Sequence, residues 1–92
     1  MAKLYVTEYN DYNLNSAQEP PVAVQAFTYS TTTQSSAFAA GTRLIRVHTD
    51  SICSVLVGRN PTATTSSPRM AAGTTEYFSV EAGLKIAAVT NS

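Results

Sequence analysis

Polar and apolar side chains alternate along short stretches of this chain, and Gly, Pro, Asn, Asp or Ser close most of them. A period of two puts neighbouring side chains on opposite faces, so the pattern predicts half-buried β-strands. Over residues 3–7 it places Leu4 and Val6 on one face. Over 22–29, Val22, Val24 and Ala26 face one way and Ala23, Gln25 and Phe27 the other. The clearest strand is 42–49, where Arg43, Ile45, Val47 and Thr49 oppose Leu44, Arg46 and His48. Residues 52–57 are almost continuously apolar, which predicts a strand covered on both faces. Asp50-Ser51 supplies a tight turn between these two, and together they predict a central hairpin. Brief pairing is predicted over 69–72. Alternation returns over 75–80, and Glu81-Ala82-Gly83-Leu84 reads as a hairpin turn into a last strand over 85–90.

Three stretches break the alternation. Residues 8–21 contain Tyr9, Asn10, Asp11, Tyr12, Asn13, Asn15 and the Pro20-Pro21 pair. These residues favour turns or extended backbone over a ladder and predict an extended arm or long loop. Residues 30–36 form a polar Ser/Thr/Gln run, an exposed edge or a loop, and 37–40 have the composition of one helical turn. Gly58-Arg59-Asn60-Pro61 opens a hydroxyl-rich loop over 62–68. Seven or eight short strands at this spacing, without a repeat or an amphipathic helix, predict one all-β domain over 1–92. The expected architecture is a small antiparallel β-sandwich or jelly roll with an extended N-terminal arm.

Composition changes the picture at the core. Hydrophobic residues make up 43% of the 92, but thirteen are Ala and five are Tyr, which leaves 22 larger apolar side chains. A chain this short buries only about 60–65% of its unfolded surface, so an isolated monomer is expected to be marginally stable. Cys53 is the only cysteine, which excludes an internal disulfide, and one His with one Cys cannot complete a structural zinc site. A partner surface is the remaining staple, so an oligomer or a bound state is expected.

Charge narrows the function classes. Only 13% of residues are charged, six basic against six acidic, while ten Ser and thirteen Thr supply short hydroxyl side chains instead. This balance provides neither the basic face of a nucleic-acid binder nor the acidity of a solvating tail. The start of the chain has no apolar run of signal-peptide length, and no stretch approaches the roughly 20 apolar residues of a membrane span. A soluble intracellular product is expected, unless it leaves the cell within something larger.

Candidate chemistry is sparse. His48-Thr49-Asp50 could supply a base and a carboxylate on one strand face, but Asp50 is better explained by turn chemistry, and no second His is present. Cys53 lies in an apolar strand without a basic neighbour and reads as a buried, inert small hydrophobe. Asp11, Glu8 and Glu19 are too scattered for a calcium loop. No catalytic, metal or cofactor residue is therefore assigned, and the chain is not expected to be an enzyme. The interface candidates are Tyr5, Tyr9 and Tyr12 in or beside the arm, the rigid Pro20 and Pro21, and Arg59 and Arg69, which bracket the second polar loop. Tyr and Arg are both enriched at interfaces.

Several segments carry a resemblance: Arg43-Leu44-Ile45-Arg46-Val47-His48-Thr49-Asp50, Gly58-Arg59-Asn60-Pro61-Thr62-Ala63-Thr64, Met70-Ala71-Ala72-Gly73-Thr74-Thr75-Glu76-Tyr77-Phe78, and Val80-Glu81-Ala82-Gly83-Leu84-Lys85-Ile86-Ala87-Ala88-Val89. Over about residues 34–90 the chain resembles the short β-rich structural proteins of tailed-bacteriophage virions. The resemblance implies a capsid decoration or cement protein, made in the bacterial cytoplasm and placed on the capsid surface. Its implied partners are the major capsid protein and further copies of itself, commonly as a trimer, with no role for nucleic acid or membrane. The alternative is a tail or fibre accessory module that binds a carbohydrate or a receptor.

Overall fold

A computed structural model describes residues 2–10 and 21–91. These fold into eight strands: β1 Lys3–Tyr9, β2 Ala23–Thr28, β3 Thr33–Gln34, β4 Leu44–Thr49, β5 Cys53–Gly58, β6 Arg69–Met70, β7 Thr75–Ser79 and β8 Lys85–Thr90. They form two four-stranded antiparallel sheets, ordered β2-β1-β4-β7 and β3-β8-β5-β6. The pairs β1·β2, β3·β8, β4·β7 and β5·β6 are successive rungs of one long ribbon rolled into two layers. This is a jelly roll in which β1 takes the place that would follow β8.

Alternation decides what lies between the layers. Leu4, Val6, Ile45 and Val47 from the first sheet meet Cys53, Val55, Met70, Ile86 and Ala88 from the second, all 2% exposed or less. Each large side chain buried in this way contributes roughly 1.5–3 kcal/mol. Tyr29, Phe38 and Val80 close the ends of the same cluster.

Two expected hairpins are corners between the sheets. β4 and β5 lie in different layers, as do β7 and β8. The backbone of residues 50–52 shows why the first corner crosses: Asp50 N–H bonds to Lys3 O at 3.2 Å in one sheet, while Ile52 O accepts from Asn91 N–H at 3.2 Å in the other. A side-chain knot braces this corner. Tyr29 Oη lies 2.7 Å from Thr49 Oγ1, Thr49 Oγ1 donates to Ser51 O at 2.7 Å, and Cys53 Sγ lies 3.6 Å from the same hydroxyl. Burial of the Tyr29 phenol pushes its pKa up to about 12, with the Cys53 thiol and the Asp50 charge acting in the same direction and the Thr49 hydrogen bond against them.

Three chain reversals share one turn. In 39–42, 71–74 and 81–84, the N–H of the fourth residue bonds to the carbonyl of the first at 3.1, 3.3 and 3.3 Å. The third residue is Gly41, Gly73 or Gly83, with φ of 87°, 74° and 85°. Positive φ at that position is the signature of a type II turn and explains the repeated Ala-Gly pair. The first of these turns occupies the segment expected to be helical. Among the described residues there is no helix.

The polar stretch after β5 packs as a third layer. Gln34 Nε2 donates to Asn60 Oδ1 and Pro61 O at 2.8 and 2.9 Å, and Ala63 N–H donates to Thr32 Oγ1 at 3.0 Å. Chain leaving β5 can reach β3 only by crossing β8, so the loop lies over the outer side of Ala87, which is 0% exposed. Asn91 Nδ2 then ties Thr65 O to Ser54 Oγ at 3.2 and 2.7 Å. Strand β8 is thus covered on both faces, while Leu56, beside Ala87 on β5, stays 38% exposed on the outer side.

Candidate interaction surface

Among the described residues, the outer face of the first sheet has no such cover over most of its width. Strand register arranges it in rows. Ala26, Tyr5, His48 and Thr75 form one row across β2, β1, β4 and β7, and Val24, Thr7, Arg46 and Tyr77 form the next. Val24 is 68% exposed, Tyr77 47% and Tyr5 39%. These are three of the four large hydrophobic side chains exposed among the described residues, the fourth being Leu56. An open depression of about 760 Å³ lies here, lined by Tyr5, Val24, Ala26, Arg46, His48 and Asp50 among others.

Polar groups set the texture of this face. His48 Nδ1 and Thr75 Oγ1 are 2.9 Å apart, which fixes the ring across the β4–β7 pair. The Tyr5 and His48 rings are tilted by 51° with centroids 6.2 Å apart, and Lys3 Nζ stands 5.4 Å from the centre of the Tyr5 ring. Such a cation–π contact at an exposed site is worth about 0.5–1 kcal/mol and holds Tyr5 against the sheet. A tyrosine already fixed by neighbours loses little rotamer freedom when a partner covers it. The face therefore combines pre-placed aromatic area with a polar margin, the composition of a contact surface.

The interface candidates do not gather in one place. Tyr5 is on this face, and Pro21 is half-buried just before β2. Tyr9 is only 6% exposed, with Leu44 as its cross-strand neighbour, so its ring is already covered within the chain. Arg59 is exposed beside Arg43 and Glu81 at one end of the sandwich, whereas Arg69 is exposed on β6, at an edge of the second sheet. Tyr12 and Pro20 lie outside the described residues. Reasoning from sequence missed Val24, Ala26, Arg46, His48 and Tyr77 as members of one patch. Alternation placed Val24 with Ala26 and Arg46 with His48, but the rows needed strand order to appear.

Glu8 departs furthest from expectation. Assigned to the arm, it is instead a β1 residue, 2% exposed. Its Oε1 accepts from Ala39 N–H at 2.8 Å and Thr42 Oγ1 at 2.9 Å, and its Oε2 from Gln25 Nε2 at 3.3 Å. Gln25 in turn accepts from Ser36 N–H at 2.9 Å. The carboxyl thus fastens the 35–42 segment beneath β1 and β2, which is a structural task. Among the described residues every buried side-chain polar atom has a partner, and no three His, Cys, Asp or Glu residues converge as a metal site. Comparison with protein-family models, curated proteins and solved structures found no match to this chain.

Proposed function

We propose that the chain is a structural protein of a tailed-phage particle, a capsid decoration or cement protein, which docks on the major capsid lattice through the outer face of its first sheet. The observation that carries the docking mode is the asymmetry of the sandwich: a loop covers β8 in the second sheet and leaves Leu56 as its one exposed large hydrophobic, while the first leaves Tyr5, Val24 and Tyr77 open. The phage assignment leans on the resemblance over about residues 34–90. Jelly rolls occur in capsid and lectin domains alike, so the fold is compatible with this reading without selecting it. A thin core and a net charge of zero suit a body that gains stability from close neighbours. Copies are proposed to assemble on the lattice as a homo-oligomer, a trimer.

A second reading, a carbohydrate- or receptor-binding module of a tail or fibre, draws on the same face. Exposed Tyr5 and Tyr77 rings beside Arg46, His48 and Asp50 offer stacking area with hydrogen-bonding groups at its margin.

The two readings part in one experiment. Purified protein is added to heads of the phage that encodes it, prepared without this protein, and occupancy is read by cryo-electron microscopy. Density on the head surface, reduced about tenfold or more by combined Tyr5→Ser and Tyr77→Ser, is the expected result. Heads that stay bare, or full occupancy by the double variant at unchanged thermal stability, would refute the docking model. Glycan binding that the same double variant abolishes would establish the second reading.

A further inference from the structure

The four sheet edges of this sandwich are not equally guarded. β3 and β6, the edges of the second sheet, are two residues long. β7, one edge of the first sheet, carries Glu76 on its inward side, opposite Val47. Short edge strands and inward-pointing charges are both devices that keep sheets from pairing edge to edge. β2, the other edge, has neither. It is six residues long, with the sequence Ala-Val-Gln-Ala-Phe-Thr. No Lys, Arg, Asp or Glu occurs anywhere from Pro20 to Thr42.

Ladder phase shows which backbone groups β2 leaves open. Tyr29 N–H bonds to Ala2 O at 3.1 Å, which places 29 and 2 in a hydrogen-bonded pair. In an antiparallel ladder such pairs recur at every second residue, so Phe27, Gln25 and Ala23 turn their N–H and C=O toward β1. Val24, Ala26 and Thr28 turn theirs to the open side. The side chains of these same three residues are all exposed, and among the described residues no strand pairs with this edge.

We infer that β2 pairs with β2 of a second copy, antiparallel and centred on Ala26. That register opposes Ala26 to Ala26 and Val24 to Thr28 in both directions. It forms three hydrogen-bonded pairs, each exchanging two backbone bonds. The strand is self-complementary in this arrangement: the small Ala26 sits on the two-fold axis, β-branched residues meet on either side, and no charge opposes a like charge. The product is a continuous eight-stranded sheet, four strands from each copy, that presents two Tyr5–Val24 faces side by side. Strand addition alone buries less than the roughly 1,200 Å² of a self-sufficient interface. The dimer is therefore weak in dilute solution and forms when copies are concentrated or held close together. This inference concerns the edge alone and stands whether or not the outer face docks on a capsid.

Charge reversal on the axis provides the test. Ala26 is exposed, so Ala26→Lys and Ala26→Glu leave the core untouched, and circular dichroism with thermal melts checks that each variant folds. Sedimentation equilibrium up to about 1 mM should show a monomer–dimer equilibrium for the unmodified protein. Either variant alone should weaken association about tenfold or more, because like charges then oppose each other directly. An equimolar mixture of the two should restore it. Hydrogen exchange gives a second readout: the Val24, Ala26 and Thr28 amides should gain protection with protein concentration, while Gln25 and Phe27 are protected throughout. A protein that stays monomeric with those three amides exchanging freely at every concentration would overturn the inference. So would a dimer that Ala26→Lys does not weaken.

Discussion

Replacing Tyr29 by Phe isolates one oxygen atom. The ring, 3% exposed, stays in place, while the hydroxyl's contacts with Thr49 Oγ1 at 2.7 Å and Ser51 O at 3.2 Å are lost. Thr49 keeps its bonds to Ser51, so one buried acceptor site is weakened rather than orphaned. A net loss of about 1 kcal/mol is expected near pH 8. The sign then changes with pH. In the folded protein the Tyr29 phenol ionises near pH 12, against about 10 in an unfolded chain. Between these values the unfolded state gives up the proton first, so wild-type stability falls as pH rises, by up to about 1.4 kcal/mol per pH unit. The Tyr29→Phe variant has no such group, and all other titrations are shared by the two proteins. The stability difference should therefore shrink above pH 10, vanish at about pH 10.7, where the linkage loss reaches about 1 kcal/mol, and reverse above that. Urea unfolding followed by far-ultraviolet circular dichroism from about pH 8 to pH 11.5 measures the gap. A gap that stays constant or widens across that range would show that the phenol is not held neutral at the β4–β5 corner.

Substitutions at two further positions probe the parts of the fold that sequence patterning did not reveal. Glu8→Ala removes the acceptor shared by Ala39, Thr42 and Gln25, with an expected cost of about 2–4 kcal/mol, whereas Glu8→Gln retains a carbonyl oxygen for Ala39 and Thr42 and should cost about half as much or less; chemical denaturation measures both. Ala87→Leu forces a large side chain between β8 and the covering 59–68 loop, so a loss of about 1–3 kcal/mol is expected. Limited proteolysis should then cut within 59–68 before the sandwich unfolds, and a loop that remains as resistant as in the wild type would contradict the third layer.

Because Glu8 and Tyr9 belong to β1, only part of the 8–21 segment can be removed without cutting into the sheet. Removing residues 8–21 would delete Glu8 and Tyr9, which belong to the sheet, along with whatever the arm does. A deletion confined to 11–20, closed by a short Gly-rich turn between Asn10 and Pro21, leaves both strands of the β1·β2 pair intact.

Period-two alternation was enough to find most of the strands and to separate their two faces, but in β2 it did not say which face turns inward: Val24 and Ala26 are exposed, and Gln25 and Phe27 are half-buried. Ile45, Val47 and Thr49 are buried as the spacing of 42–49 requires; of the 52–57 run expected to be covered on both faces, 53–55 are buried but Leu56 is exposed on the outer side of β5. Of the three Ala-Gly reversals, only 81–84 was legible as a turn; the positive φ of Gly41 and Gly73 marks the other two. Strand partners were not legible. Turn residues such as Asp50-Ser51 state that the chain reverses, but the same few residues can return it within a layer or carry it to the next. Here long-range bonds from Lys3 and Asn91 chose the crossing. Glu8 reads as the start of the arm because the turn-forming residues after it break the strand pattern, and only the donors of 25, 39 and 42, far along the chain, make burial of its carboxyl tolerable. The hydroxyl-rich loop looked solvated until Gln34, Thr32 and Asn91 satisfied its backbone. Local pattern specifies faces and turns, because these depend on neighbouring residues. Layer, partner and surface depend on contacts between residues distant in sequence, and only the assembled sandwich brings those together.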